Sequence, residues 1–137
     1  MPHPRSPDLA RLRALPKAEV HAHLEGCFEA DVLEQWAAQA RVLMPRPRER
    51  LFEFEGLTDF LHFLDWACGL ASTRQRLAEL SYGYSKRLAE GGAGYADVIV
   101  NPTHWPAWHG RLPEMTMRST PASPPRSRTG FRPWACA

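Results

Sequence analysis

Residues 18–25, Ala-Glu-Val-His-Ala-His-Leu-Glu, alternate strictly between apolar and polar, and this pattern constrains the fold more tightly than any other stretch. Ala18, Val20, Ala22 and Leu24 fall on one side of a period-two repeat. Glu19, His21, His23 and Glu25 fall on the other. Side chains two apart share a face in a β-strand, whereas a helix splays them. The segment therefore reads as a strand whose two imidazoles face one space, with its apolar face suited to burial. Gly26 follows, where a backbone without Cβ can turn sharply beside a site. Two imidazoles at a strand end, then a carboxylate and a turn, make a candidate half of a divalent metal site. Ordinary surface or packing histidines share the same spacing, so the pair alone does not decide between the two readings.

The rest of the chain alternates in type. An amphipathic helix is expected over 30–43, with Val32, Leu33, Trp36, Ala37, Ala40 and Leu43 on one stripe. Met44-Pro45-Arg46-Pro47 ends it, because proline cannot continue the hydrogen-bond ladder. Residues 45–56 read as a polar loop. A second helix over 58–71 carries Phe60, Leu61, Phe63, Leu64, Ala67, Cys68 and Ala71 at helical spacing. Ser72 and Gln75 form a capping box for a third helix that buries Leu77, Leu80, Tyr84 and Leu88 and stops at Gly91-Gly92. Residues 95–100 form a second strand, and their near-continuous apolar run predicts cover on both faces. Strand, helices, strand is the opening of a parallel α/β fold.

Charge divides the chain. Residues 1–110 carry 12 Lys and Arg against 14 Asp and Glu, while residues 111–137 carry five Arg against one Glu. The net charge of +2 thus belongs to the tail. A nucleic-acid module places its basic residues on a structured face among aromatics, so no nucleic-acid partner is expected. No apolar run approaches the roughly 20 residues needed to span a bilayer, and no membrane partner is expected. The start, Met-Pro-His-Pro-Arg-Ser-Pro, lacks the apolar core of a secretory signal, which points to the cytoplasm. Cys27, Cys68 and Cys136 are too few and scattered for a disulfide framework. Cys27 and Cys68 read as small buried hydrophobes, with a reactive thiol at Cys27 a lesser alternative.

Three segments follow. Residues 1–14 form a flexible N-terminal segment with a helical turn from about Leu9. Residues 15–110 form the folded domain. Residues 111–137, with five prolines and six serines or threonines, read as a disordered tail of the kind an out-of-frame reading of a GC-rich gene produces.

Leu15-Pro16-Lys17-Ala18-Glu19-Val20-His21-Ala22-His23-Leu24-Glu25-Gly26 closely resembles the N-terminal signature of the adenosine deaminase family. Residues 95–102, Tyr-Ala-Asp-Val-Ile-Val-Asn-Pro, resemble that family's second strand, with Asp97 and Ile99 replacing the usual Glu and Arg. The Phe-rich helix from Phe60 to Trp66 fits the segment between. The resemblance covers about residues 15–110. It implies the first part of a (β/α)8 barrel, incomplete here, because such a barrel takes about 250 residues. It implies zinc as cofactor, with His21 and His23 as two of its ligands and Glu25 as a substrate contact. It further implies hydrolytic deamination of adenosine or adenine by zinc-activated water. Cys27 stands where Ser or Thr is usual.

The family's remaining ligands and its catalytic glutamate lie on later strands, so no catalytic residue is assigned and the isolated chain is expected to be inactive. His104 and His109 follow the second strand but have no ligand spacing. Trp105 and Trp108 would line a purine pocket or cap strand ends. His62 reads as structural or exposed. The alternatives are a non-enzymatic binding or regulatory fragment and, less well matched by the flanking residues, another His-x-His amidohydrolase. Substrate choice and oligomeric state are not legible in the sequence, and two strands alone leave edges that predict marginal stability.

Overall fold

A computed structural model describes residues 8–116. The Asp8 carboxylate caps α1 (Leu9–Ala14), accepting from the backbone N–H groups of Ala10 and Arg11 at 3.1 and 3.2 Å. After Leu15-Pro16 the chain enters β1 (Lys17–His23), and a 3-10 turn over Leu24–Gly26 carries it off the strand.

Helix α2 (Ala30–Ala40) is shorter than its apolar stripe suggests. Arg41 adopts a left-handed conformation (φ 54°), and the N–H groups of Arg41 and Val42 close back onto Ala38 and Ala37. Leu43 is therefore off the helix and exposed, while Leu33, Trp36 and Ala37 face the core. The loop expected over 45–56 holds a 3-10 turn at Arg48–Arg50 and a fully buried Leu51.

Helix α3 (Leu57–Leu70) buries Phe63, Leu64, Ala67, Cys68 and Leu70. Helix α4 (Arg74–Glu90) begins at Thr73, whose hydroxyl accepts from the Arg76 N–H at 3.2 Å. This corrects the expected Ser72–Gln75 box. Gln75 donates instead to Glu79, four residues on. Leu77 and Leu80 are buried, and α4 ends at Gly91-Gly92, as its sequence predicts.

Strand β2 (Ala93–Ile99) pairs in parallel with β1, and α4 packs on it. The expected cover on both faces of β2 is absent among the described residues: Tyr95 and Val98 are exposed. Val20 on β1 is exposed as well, against the expectation of a buried apolar face. An apolar run reports what a strand can bury, and among the described residues α4 is the helix packed on this sheet.

The core lies to one side, where Phe28, Leu33, Trp36, Leu51 and the inner faces of α3 and α4 meet Trp105 and Trp108. Two 3-10 turns, Pro102–His104 and Pro106–Trp108, follow β2 and lead to α5 (Leu112–Thr116). The segment expected to lose order from residue 111 thus begins with a helix. Glu114 anchors it through Arg111 and Arg74, at 2.7 and 3.0 Å. Residues 1–7 and 117–137, the remainder of the two expected flexible ends, lie outside the described residues. Among the described residues no helix is long and apolar enough to cross a membrane.

Candidate metal centre

His21 and His23 come together, by a less regular route than a flat strand. Pairing runs from Glu19↔Ala96 to Ala22↔Val98, so β1 takes one residue more than β2 across the same interval. His21 occupies this bulge at φ 58°. That conformation costs a residue with a Cβ about 1–2 kcal/mol, and bulges of this type re-aim side chains. The two rings meet edge to face, with centroids 5.2 Å apart. Imidazoles bound through one nitrogen each at 2.0–2.1 Å around a tetrahedral ion have centroids about 5 Å apart. The ring spacing fits such an ion, and the donors are the borderline-soft nitrogens zinc prefers.

Glu25 lies directly beyond the strand and is 1% exposed. Its Oε1 accepts from the indole Nε1 of Trp105 at 2.6 Å and from the backbone N–H of Asn101. Its Oε2 is buried without a hydrogen-bond partner, 3.5 Å from Nδ1 of His23. A carboxylate oxygen near the second nitrogen of an imidazole is the usual outer support of a histidine ligand. Two ligands do not complete a site, however. Among the described residues no group of three His, Cys, Asp or Glu side chains converges on a common point.

The other described histidines stand elsewhere. His104 Nδ1 stands 2.7 Å from Asp65 Oδ1, and His109 Nε2 donates to the Pro102 carbonyl at 3.0 Å. His62 is exposed on α3. Cys27 donates to the His23 carbonyl at 3.2 Å. Burial pushes its thiol up to about 11 despite the lowering influence of Arg87, which opposes a nucleophilic role at neutral pH. Arg87 donates to the Cys27 carbonyl and the Glu29 carboxylate, tying α4 to the segment after Gly26.

Sequence reasoning did not find that Asn101 and Trp105 hold Glu25. A contact spanning 80 residues leaves no local pattern. Trp105 and Trp108 are fully buried, and Trp108 donates to the Ala71 carbonyl at 2.9 Å, so neither is an open pocket wall.

A family model described as adenosine deaminase matches residues 16–116. Adenine deaminase of Emericella nidulans is 32% identical over 105 residues, covering 68% of this chain and 29% of the relative. Adenine deaminase of Caulobacter vibrioides is 31% identical over 98 residues, covering 68% of this chain and 28% of the relative. Adenosine deaminase of Enterococcus faecalis is 28% identical over 113 residues, covering 77% and 34%. The chain therefore spans about three tenths of the length of the curated relatives it matches. With its paired histidines, buried glutamate and parallel strands all inside the matched region, the chain belongs to the adenosine deaminase family.

Proposed function

We propose that residues 15–110 are the opening part of a (β/α)8 barrel that hydrolyses the amino group of adenine or adenosine. In this reading His21 and His23 are two ligands of a zinc ion and Glu25 is a substrate-contacting carboxylate. The observation that carries it is the 5.2 Å spacing of the two rings beside the buried Glu25. The names of the matched relatives, adenine deaminase and adenosine deaminase, supply the substrate class.

Bound zinc lowers the pKa of a coordinated water toward neutrality and so supplies a nucleophile for the amino-bearing carbon of the purine. The residues of this chain hold and orient. His21 and His23 would hold the ion, one ring nitrogen from each. Oε2 of Glu25 makes no hydrogen bond and lies 3.5 Å from Nδ1 of His23, and its two lone pairs can serve that ring and a donor on the substrate together. We assign no catalytic residue among the described residues and expect no turnover from this chain alone. We assign it no nucleic-acid or membrane partner and place it in the cytoplasm.

Calorimetric zinc titration, paired with an ammonia-release assay on adenine and adenosine, tests the reading. Zinc binding that His21→Ala and His23→Ala each abolish, with no ammonia released, is the expected result. Turnover by the purified chain would refute its inactivity, and zinc binding that survives both substitutions would refute the ligand assignment. A non-enzymatic binding fragment is the second reading, favoured by Val20, Tyr95 and Val98 standing exposed on one small sheet. A stoichiometric partner retained by zinc-free protein and lost in Val20→Lys would select it.

A further inference from the structure

We infer that Trp105 is a positioning residue, whose indole N–H locks Glu25 so that His23 offers its Nε2 to the metal. The inference rests on the zinc reading above and adds the device that orients one ligand. Oε1 of Glu25 accepts from two donors, the Trp105 indole and the Asn101 backbone N–H, both in the segment after β2. Two donors on one oxygen fix the direction of the carboxyl plane. Oε2 then faces the end of β1, with no hydrogen bond of its own and Nδ1 of His23 at 3.5 Å.

A buried acceptor without a donor is costly, and His23 can relieve it by carrying its proton on Nδ1. That choice of tautomer leaves the Nε2 lone pair open, and the partner of one ring nitrogen commonly decides which nitrogen a metal takes. Separations of this kind are often long before a ligand is bound and tighten with it. Trp105 acts on the metal through two intermediaries, Glu25 and His23. A merely structural Trp105 would stabilise the core equally well and leave the His23 tautomer unchanged. Trp108 supplies the contrast, because it is equally buried but donates to the Ala71 carbonyl.

The test uses the full chain, zinc alone as probe, and the variants Trp105→Phe, Glu25→Gln and Trp108→Phe. Backbone amide spectra verify that each variant folds. Long-range 1H–15N spectra of metal-free protein read the His23 tautomer, and calorimetry reads zinc affinity. The wild-type ring should carry its proton on Nδ1. In Trp105→Phe and Glu25→Gln it should move toward the Nε2–H form, with zinc bound about ten-fold more weakly. Trp108→Phe should change neither. Trp105→Phe with wild-type tautomer and affinity overturns the positioning role while the ligand assignment stands. A tautomer that responds to Trp105→Phe in a protein whose zinc uptake survives His21→Ala and His23→Ala supports the positioning of His23 and overturns the ligand reading instead. Glu25→Gln keeps an Oε1 acceptor for both donors, so it reports even if Trp105→Phe fails to fold.

Discussion

The indole Nε1 of Trp105 lies 2.6 Å from Oε1 of Glu25, joining two buried side chains 80 residues apart. With the Asn101 N–H on the same oxygen, this contact clamps the C-terminal end of β1 to the segment that follows β2. Removing the carboxylate would leave the buried Trp105 indole without an acceptor, at about 1–3 kcal/mol, and the half-buried Asn101 N–H at a smaller cost. Glu25→Ala should therefore lower the unfolding free energy by about 2–4 kcal/mol in urea titration. Glu25→Gln keeps an oxygen for Trp105 and should cost about 1 kcal/mol. Equal losses in the two variants would mean that packing, not these hydrogen bonds, is what Glu25 contributes.

The order of elements was legible because hydrophobic period changes cleanly along the chain. Period two marks 18–25, period 3.6 marks α2 to α4, and Gly91-Gly92 separates α4 from β2. The pairing of His21 and His23 was legible for the same reason, yet the bulge that carries His21 was not. A single left-handed residue follows from strand register, and nothing in Val-His-Ala-His specifies it. The exposure of Val20 and Val98 was misread because an apolar side chain does not reveal whether a covering element is present. Leu51 and Trp105 were missed as core for the opposite reason. Each is one apolar residue in irregular sequence, where no period exists to report burial.

Helix capping separates two neighbours that look alike in sequence. Thr73 Oγ1 accepts from the Arg76 N–H, while Ser72 precedes the cap. An N-cap hydroxyl contributes about 1 kcal/mol. Thr73→Ala should cost about 1 kcal/mol, and Ser72→Ala should stay within about 0.5 kcal/mol of wild type. Denaturant midpoints of the two variants check this, and a reversed order would restore the Ser72 box.

Acid should release α5 before it unfolds the core. Hydrogen bonds from Arg111, and then from Arg74, hold the Glu114 carboxyl at about 2, below its ordinary 4.5. The depressed carboxylate stabilises the folded form fully above the unfolded value. That contribution fades as pH falls below 4.5 and is gone once pH passes the folded value near 2. Amide-exchange protection of Glu114 and Met115, whose N–H groups donate to the Arg111 carbonyl, should decline across this window, corrected for intrinsic rates, while Leu64 and Ala67 stay protected. Glu114→Gln should lack the pH-dependent step and show weak protection of α5 at every pH.

Gly92 joins α4 to β2 at φ +82°, a conformation that strains any residue with a Cβ. There is no room for one either, because a Cβ at this position would lie 2.0 Å from the Arg13 carbonyl oxygen. That oxygen also accepts from Lys17 Nζ at 3.2 Å, so relief would have to displace the end of α1 and the start of β1 together. Gly92→Ala should cost about 2–4 kcal/mol from conformational strain and backbone collision combined. Gly94, two residues on, is the internal control: its nearest neighbour to an added Cβ is the Lys17 carbonyl oxygen at 4.0 Å. Gly94→Ala restricts the unfolded chain without a clash and should match or slightly exceed wild-type stability. Parallel thermal melts compare the two. If Gly92→Ala melted with Gly94→Ala, the turn into β2 would have to be looser than the close approach of Arg13 requires.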